Sequence, residues 1–109
     1  MDPKDTLASL KLATWQAWFG QNADYEATRH RLVQQAEGTD QAGTAERAAK
    51  VACLQPSTDA ALLAKALNLA RSGVELGKSS PWLPWYQLAL GLAEYRNGHY
   101  AAPAELWIF

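Results

Sequence analysis

Helix-breaking residues recur along this chain at intervals of one helix length. They stand at Gly20-Gln21-Asn22, Gly38-Thr39-Asp40, Pro56-Ser57-Thr58-Asp59, Gly77, Ser79-Ser80-Pro81 and Gly98. Glycine ends helices, proline removes a backbone donor, and Ser, Asn and Asp cap fresh starts. The segments between the breaks hold most of the 21 alanines and 15 leucines, whereas valine and isoleucine together number four. Alanine and leucine lose least on entering a helix, and strands need the β-branched residues that are scarce here. The expected fold is all-α, with about six helices joined by short loops in one domain spanning 1–109. The helices pair as hairpins over 5–38, 40–77 and 81–109.

The first helix, from about Asp5 to Phe19, carries apolar residues on more than one stripe, which predicts burial on two sides or an unused sticky face. Asn22 is the expected cap of the second helix. That helix sets Tyr25, Thr28, Leu32, Val33 and Ala36 on one side and leaves Arg29, Arg31 and Gln34 largely off it. In the third, Ala45, Ala48, Ala49 and Ala52 form an inner face small enough for a neighbouring helix to approach closely. The fourth has two stripes, Leu63, Ala66, Leu67, Ala70 and Val74 beside Leu62, Leu69 and Leu76, which implies two neighbours. Ser80 is the expected cap of the fifth, with Pro81 in its first turn and Pro84 delaying its regular part. A sixth begins at Tyr100 and stops on Trp107-Ile108-Phe109.

Ten basic residues face eleven acidic ones, for a net charge of −1. This balance argues against a nucleic-acid footprint and against a polybasic membrane anchor. One cysteine forms no internal disulfide and no four-cysteine zinc site. No apolar run reaches the length of a membrane span, and the first residues lack a signal-peptide layout. The expected setting is the cytoplasm, with Cys53 a reduced, buried thiol on an alanine-rich helical face.

Catalysis finds no home in the pattern. Cys53 with His30 or His99 is the one thiol–imidazole option, and neither histidine is its neighbour in sequence. His30 reads as surface and His99 as a turn residue. The carboxylates sit near helix starts, where the macrodipole favours them. No cofactor or metal site is expected. The aromatic residues are the unusual feature, and most of them are expected in the core, at helix crossings.

Gly38 and Gly77 close successive hairpins 39 residues apart. Repetition at this period marks an α-solenoid, in which each hairpin buries its face against the next. Within the third hairpin, Leu90-Gly91-Leu92-Ala93-Glu94-Tyr95-Arg96-Asn97-Gly98-His99-Tyr100 resembles the first-helix end and turn of a tetratricopeptide repeat. In that family a Leu-Gly pair brings the two helices close, a glycine makes the turn and a tyrosine opens the second helix. Trp107 falls where the family places a large aromatic. Gln87, Glu94 and Pro103 depart from the pattern, and the specific resemblance covers about the last 30 residues. A looser similarity, through Trp15, Tyr25, the 45–50 segment and Pro81-Trp82, is to repeat segments beside bacterial serine/threonine kinases; no kinase signature is present.

The resemblance implies a right-handed array whose concave face takes a partner. Trp85, Leu88, Leu92 and Tyr95 fall on that face, unless the helix is rotated and the same stripe is core. The function expected is protein–protein interaction without catalysis, by capture of a peptide or helix. The alternative is a structural unit that oligomerises through uncapped ends. Trp107, Ile108 and Phe109 are then expected to meet another chain or to pack as an improvised cap. A minor enzyme using Cys53 ranks last.

Overall fold

Five helices follow one another in the computed structural model, which describes residues 6–98: α1 (Thr6–Trp18), α2 (Asn22–Ala36), α3 (Ala42–Ala52), α4 (Ala60–Leu76) and α5 (Leu83–Arg96). The expected breaks fall at the helix ends, with Asn22 as the first residue of α2 and Gly98 just past α5, and the described residues contain no strand. The sixth helix lies outside the described residues.

Every helix contacts its neighbour in sequence and the next but one, and helices further apart do not touch. Hydrogen bonds fix the directions. The carboxyl ends of α1 and α5 both reach the end of α3, since Gln55 donates to the Ala17 carbonyl and Arg96 to those of Cys53 and Leu54. The start of α2 meets the same end, with the Tyr25 hydroxyl 2.6 Å from the Val51 carbonyl. The last turns of α4 pass the beginning of α3, where a Cβ added at Gly73 would lie 3.6 Å from the Ala42 oxygen. Thus α1, α3 and α5 run one way in one layer, and α2 and α4 run the other way in a second.

Alanine makes this layering close. Ala45, Ala48, Ala49 and Ala52 of α3 are fully buried, as are Ala66 and Ala70 of α4 and Ala93 of α5. Tyr25, Leu32, Val33, Val51 and Leu67 fill the remaining volume. The buried side of α2 is the one its spacing predicts, and both stripes of α4 are buried except for Val74, half-buried, and Leu76, exposed.

Several local expectations need correction. Arg29 is not off the buried side: it is 2% exposed, in the middle of the Tyr25–Val33 stripe. Gln21 takes the cap position of α2 and makes no side-chain cap bond, so Asn22 is already helical. The fifth helix starts at Leu83 rather than beside Ser80, with Pro84 in its first turn, where a missing donor is harmless. Ser80 instead accepts from the Trp82 N–H. Cys53 follows α3 rather than lying on its face, and is buried. Asp59, in contrast, caps α4 as its sequence context predicts, accepting from the Leu62 N–H at 3.0 Å.

The largest correction concerns the aromatic residues. Trp15, Trp18, Phe19, Trp82, Trp85 and Tyr95 are exposed, and among the described aromatics only Tyr25 is fully buried. Alanine-lined crossings bring the helix backbones together and leave no volume for indole rings. Of the two readings of α1, the sticky face is the one observed.

Candidate functional site

The middle helix of the three-helix layer turns its alanines inward, and the same 3.6-residue period places Gly43, Arg47 and Lys50 on its opposite side. The short connection after α4 carries Trp82, and the first turn of α5 carries Trp85 and Tyr86. These two sets of residues line a groove of about 240 Å³, joined by Glu46. The glycine opens one wall, the indoles form the other, and charges sit along the floor.

Lys50 ties the walls together. Its ammonium lies 5.8 Å from the centre of the Trp85 ring and 2.5 Å from a carboxylate oxygen of Glu46. Glu46 is buried, one turn back on the same helix, so this ion pair is shielded from solvent on one side. A cation over an indole at a partly exposed site contributes roughly 0.5–1 kcal/mol. Trp85 remains 53% exposed beside this pair.

The four-residue stripe expected on α5 is divided. Trp85 lines the groove. Leu88 and Leu92 are half-buried, and Leu92 packs against the core. Tyr95 is exposed at the far end of the helix, where the Arg96 guanidinium lies 5.6 Å from its ring centre. Trp107, Ile108, Phe109 and His99 lie outside the described residues. Sequence reasoning missed Trp82, Arg47 and Lys50 as groove residues. The signal was available in the spacing of Gly43, Arg47 and Lys50, opposite the alanine face.

A second concentration of exposed rings lies at the end of α1. Trp15 and Phe19 stack with centroids 4.3 Å apart, and Trp18 is 82% exposed. Trp18 also borders a shallow depression with Thr14, Ala17, Leu54 and Gln55.

Cys53 is a poor nucleophile here. Burial pushes its thiol up to about 11, with the charges of Arg96 and Arg29 acting weakly the other way. Only the thiolate attacks, so little of it is present near neutrality. His30 is exposed, as expected, but its ring is engaged between Glu26 and Asp59. Among the described residues, no group of three His, Cys, Asp or Glu could hold a metal ion, and no helix is long and apolar enough to cross a membrane.

No protein-family model matches the chain, and no curated protein or solved structure matches it either.

Proposed function

We propose that this chain is a non-catalytic interaction module, a right-handed array of three tetratricopeptide-like hairpins that holds a segment of another protein along α3 and α5. The observation that carries the reading is the groove of Trp82, Trp85 and Tyr86 facing Gly43 and Lys50, built on a core made mostly of alanine. Exposed indoles contribute little to the stability of such a core, and at interfaces they are the side chains that most often dominate binding. The contact of each helix with the next and the next but one also supports a stacked array, the arrangement expected of a solenoid. The helical resemblance supports a scaffold role, in a bacterial cytoplasm by analogy with the kinase-associated segments.

Selection from a displayed library of random peptides, using immobilised wild-type protein, tests the proposal. Enriched peptides should lose at least about tenfold in affinity for Trp85→Ala, the size of a 1.4 kcal/mol contact. The variant should keep the helical content and melting temperature of the wild type within a few degrees. Peptides that bind both proteins equally would remove Trp85, and the groove with it, from the reading. The double variant Trp85→Ala, Tyr95→Ala asks whether the far end of α5 takes part.

A second reading, self-association as a structural unit, is favoured by the exposed Trp15, Trp18 and Phe19 on the first helix of the array. It predicts a solution mass that rises with concentration. Trp107, Ile108 and Phe109 enter this reading as a second apolar end, and removing residues 105–109 should then lower either the stability or the mass.

A further inference from the structure

His30 stands on α2 where that helix meets the beginning of α4. Its Nδ1 is 2.9 Å from the main-chain carbonyl oxygen of Glu26, and its Nε2 is 3.3 Å from a carboxylate oxygen of Asp59. Both partners only accept hydrogen bonds. A neutral imidazole carries one N–H and can satisfy one of them, whereas the imidazolium donates to both. The Glu26 carboxylate lies 3.8 Å from Nδ1, but Arg29 donates to both of its oxygens, so Asp59 is the carboxylate that answers to His30.

The surrounding cations have partners of their own. Arg29 pairs with Glu26 and donates to the carbonyls of Ala52, Gln55 and Pro56. Arg31 reaches Ser9 and Gln35. Lys65 of α4 lies 3.1 Å from Glu37, so it is matched by a carboxylate of α2. The connection from α3 contributes uncharged Pro56, Ser57 and Thr58 beside His30 and Asp59.

We propose that His30 is a proton-operated latch between α2 and α4: the imidazolium holds the Glu26 carbonyl of its own helix and the Asp59 carboxylate at the start of α4 together, and loss of the proton leaves a single N–H for which the two compete. Asp59 couples the latch to helix formation, because one of its oxygens caps α4 through the Leu62 N–H while the other faces His30. The charge states follow from the same contacts. The Glu26 carbonyl, then Asp59, hold His30 above its ordinary value of 6.5. The Leu62 N–H, then His30, hold Asp59 below its ordinary 3.8. A raised histidine stabilises the fold fully below pH 6.5 and loses that contribution as pH rises through its folded value. A depressed aspartate contributes above 3.8 and loses its contribution as pH falls through its folded value. Both ties are therefore held in mildly acidic solution and weaken on either side.

An NMR titration of the histidine ring resonances tests this, with His30→Gln identifying the His30 signal. His30 should titrate above the ordinary histidine value in the wild type and move back toward it in Asp59→Asn. Asparagine keeps a capping oxygen for α4 and removes only the charge. A wild-type His30 that titrates at or below the ordinary value, or one that is unmoved by Asp59→Asn, would overturn the latch. If Asp59→Asn folds poorly, denaturant midpoints of the wild type and His30→Gln across the same pH range decide. The wild type should lose stability toward alkaline pH relative to the variant, and parallel curves would overturn the proposal.

Discussion

Arg29 does the work of a helix cap from a distance. Its guanidinium donates to the carbonyls of Ala52, Gln55 and Pro56, while Arg96 donates to those of Cys53 and Leu54. Together they serve a run of consecutive carbonyls at the carboxyl end of α3, where a helix leaves its last acceptors unpaired and its dipole favours positive charge. Tyr25 completes the site: its ring lies beneath the Arg29 guanidinium, at 4.9 Å, and its hydroxyl donates to Val51 and accepts from the Gln55 N–H. Removing the guanidinium leaves the buried Ala52 carbonyl without this donor and the Glu26 carboxylate without its charge pair, so Arg29→Ala should cost about 2–3 kcal/mol in chemical denaturation. Arg29→Lys should fall between the two, because one ammonium lacks the spread of a guanidinium fork. Equal stability of the wild type and Arg29→Ala would mean that water replaces the arginine. The burial of Arg29 was partly legible in the sequence. Position 29 falls between Tyr25 and Val33 on the apolar stripe, and its charge alone made it read as solvent-facing.

At the scale of elements, the helices were legible because Gly, Pro and Asp interrupt strongly helix-forming segments. Their packing distances were not legible, since those depend on which small residue faces which. Two glycines near the end of α4 show the difference. Gly73 faces the backbone of α3 at ordinary contact distance, so Gly73→Ala fits and removes a flexible residue from a helix. Its melting temperature should rise, corresponding to a gain of up to about 1 kcal/mol. At Gly77, an added Cβ would come within 2.2 Å of the Tyr86 ring, although φ there is −102° and suits any residue. Gly77→Ala should therefore destabilise by about 1–3 kcal/mol, as overpacking does. Gly77 closes its hairpin for reasons of space. Gly38, with φ of 75°, closes its own for reasons of backbone conformation. The sequence shows the same residue type at both stops, and only the packing separates the causes. The same limit explains the candidate site: the alanine face of α3 was readable, but not that α5 would lean its indoles over the opposite side.

For the whole molecule, the balance of surfaces is unusual. The interior is close-packed on alanine, and several of the largest apolar side chains lie outside. A net charge of −1 supplies little repulsion between copies. If the second reading holds and the rings bring copies together, light scattering should show a mass that rises with concentration. Trp18→Ser should reduce that rise while leaving the melting temperature within a few degrees, since the indole is 82% exposed. A mass independent of concentration in the wild type would remove self-association as the use of Trp15, Trp18 and Phe19.

The double cap on α3 bears on how such a sequence can drift. Its acceptors are main-chain carbonyls, which every residue type supplies, so the side chains of Leu54 and Pro56 are not what the two arginines recognise. Tolerance to substitution should be high at exposed Pro56 and low at Arg29 and Arg96, which lie far from it in sequence and belong to helices that do not touch, while buried Cys53 and Gln55, whose side chain holds the Ala17 carbonyl, stay constrained by their own contacts. A saturation library scored for folded protein would show Arg29 and Arg96 intolerant and the Pro56 position permissive, a signature that no scan for contiguous motifs would detect.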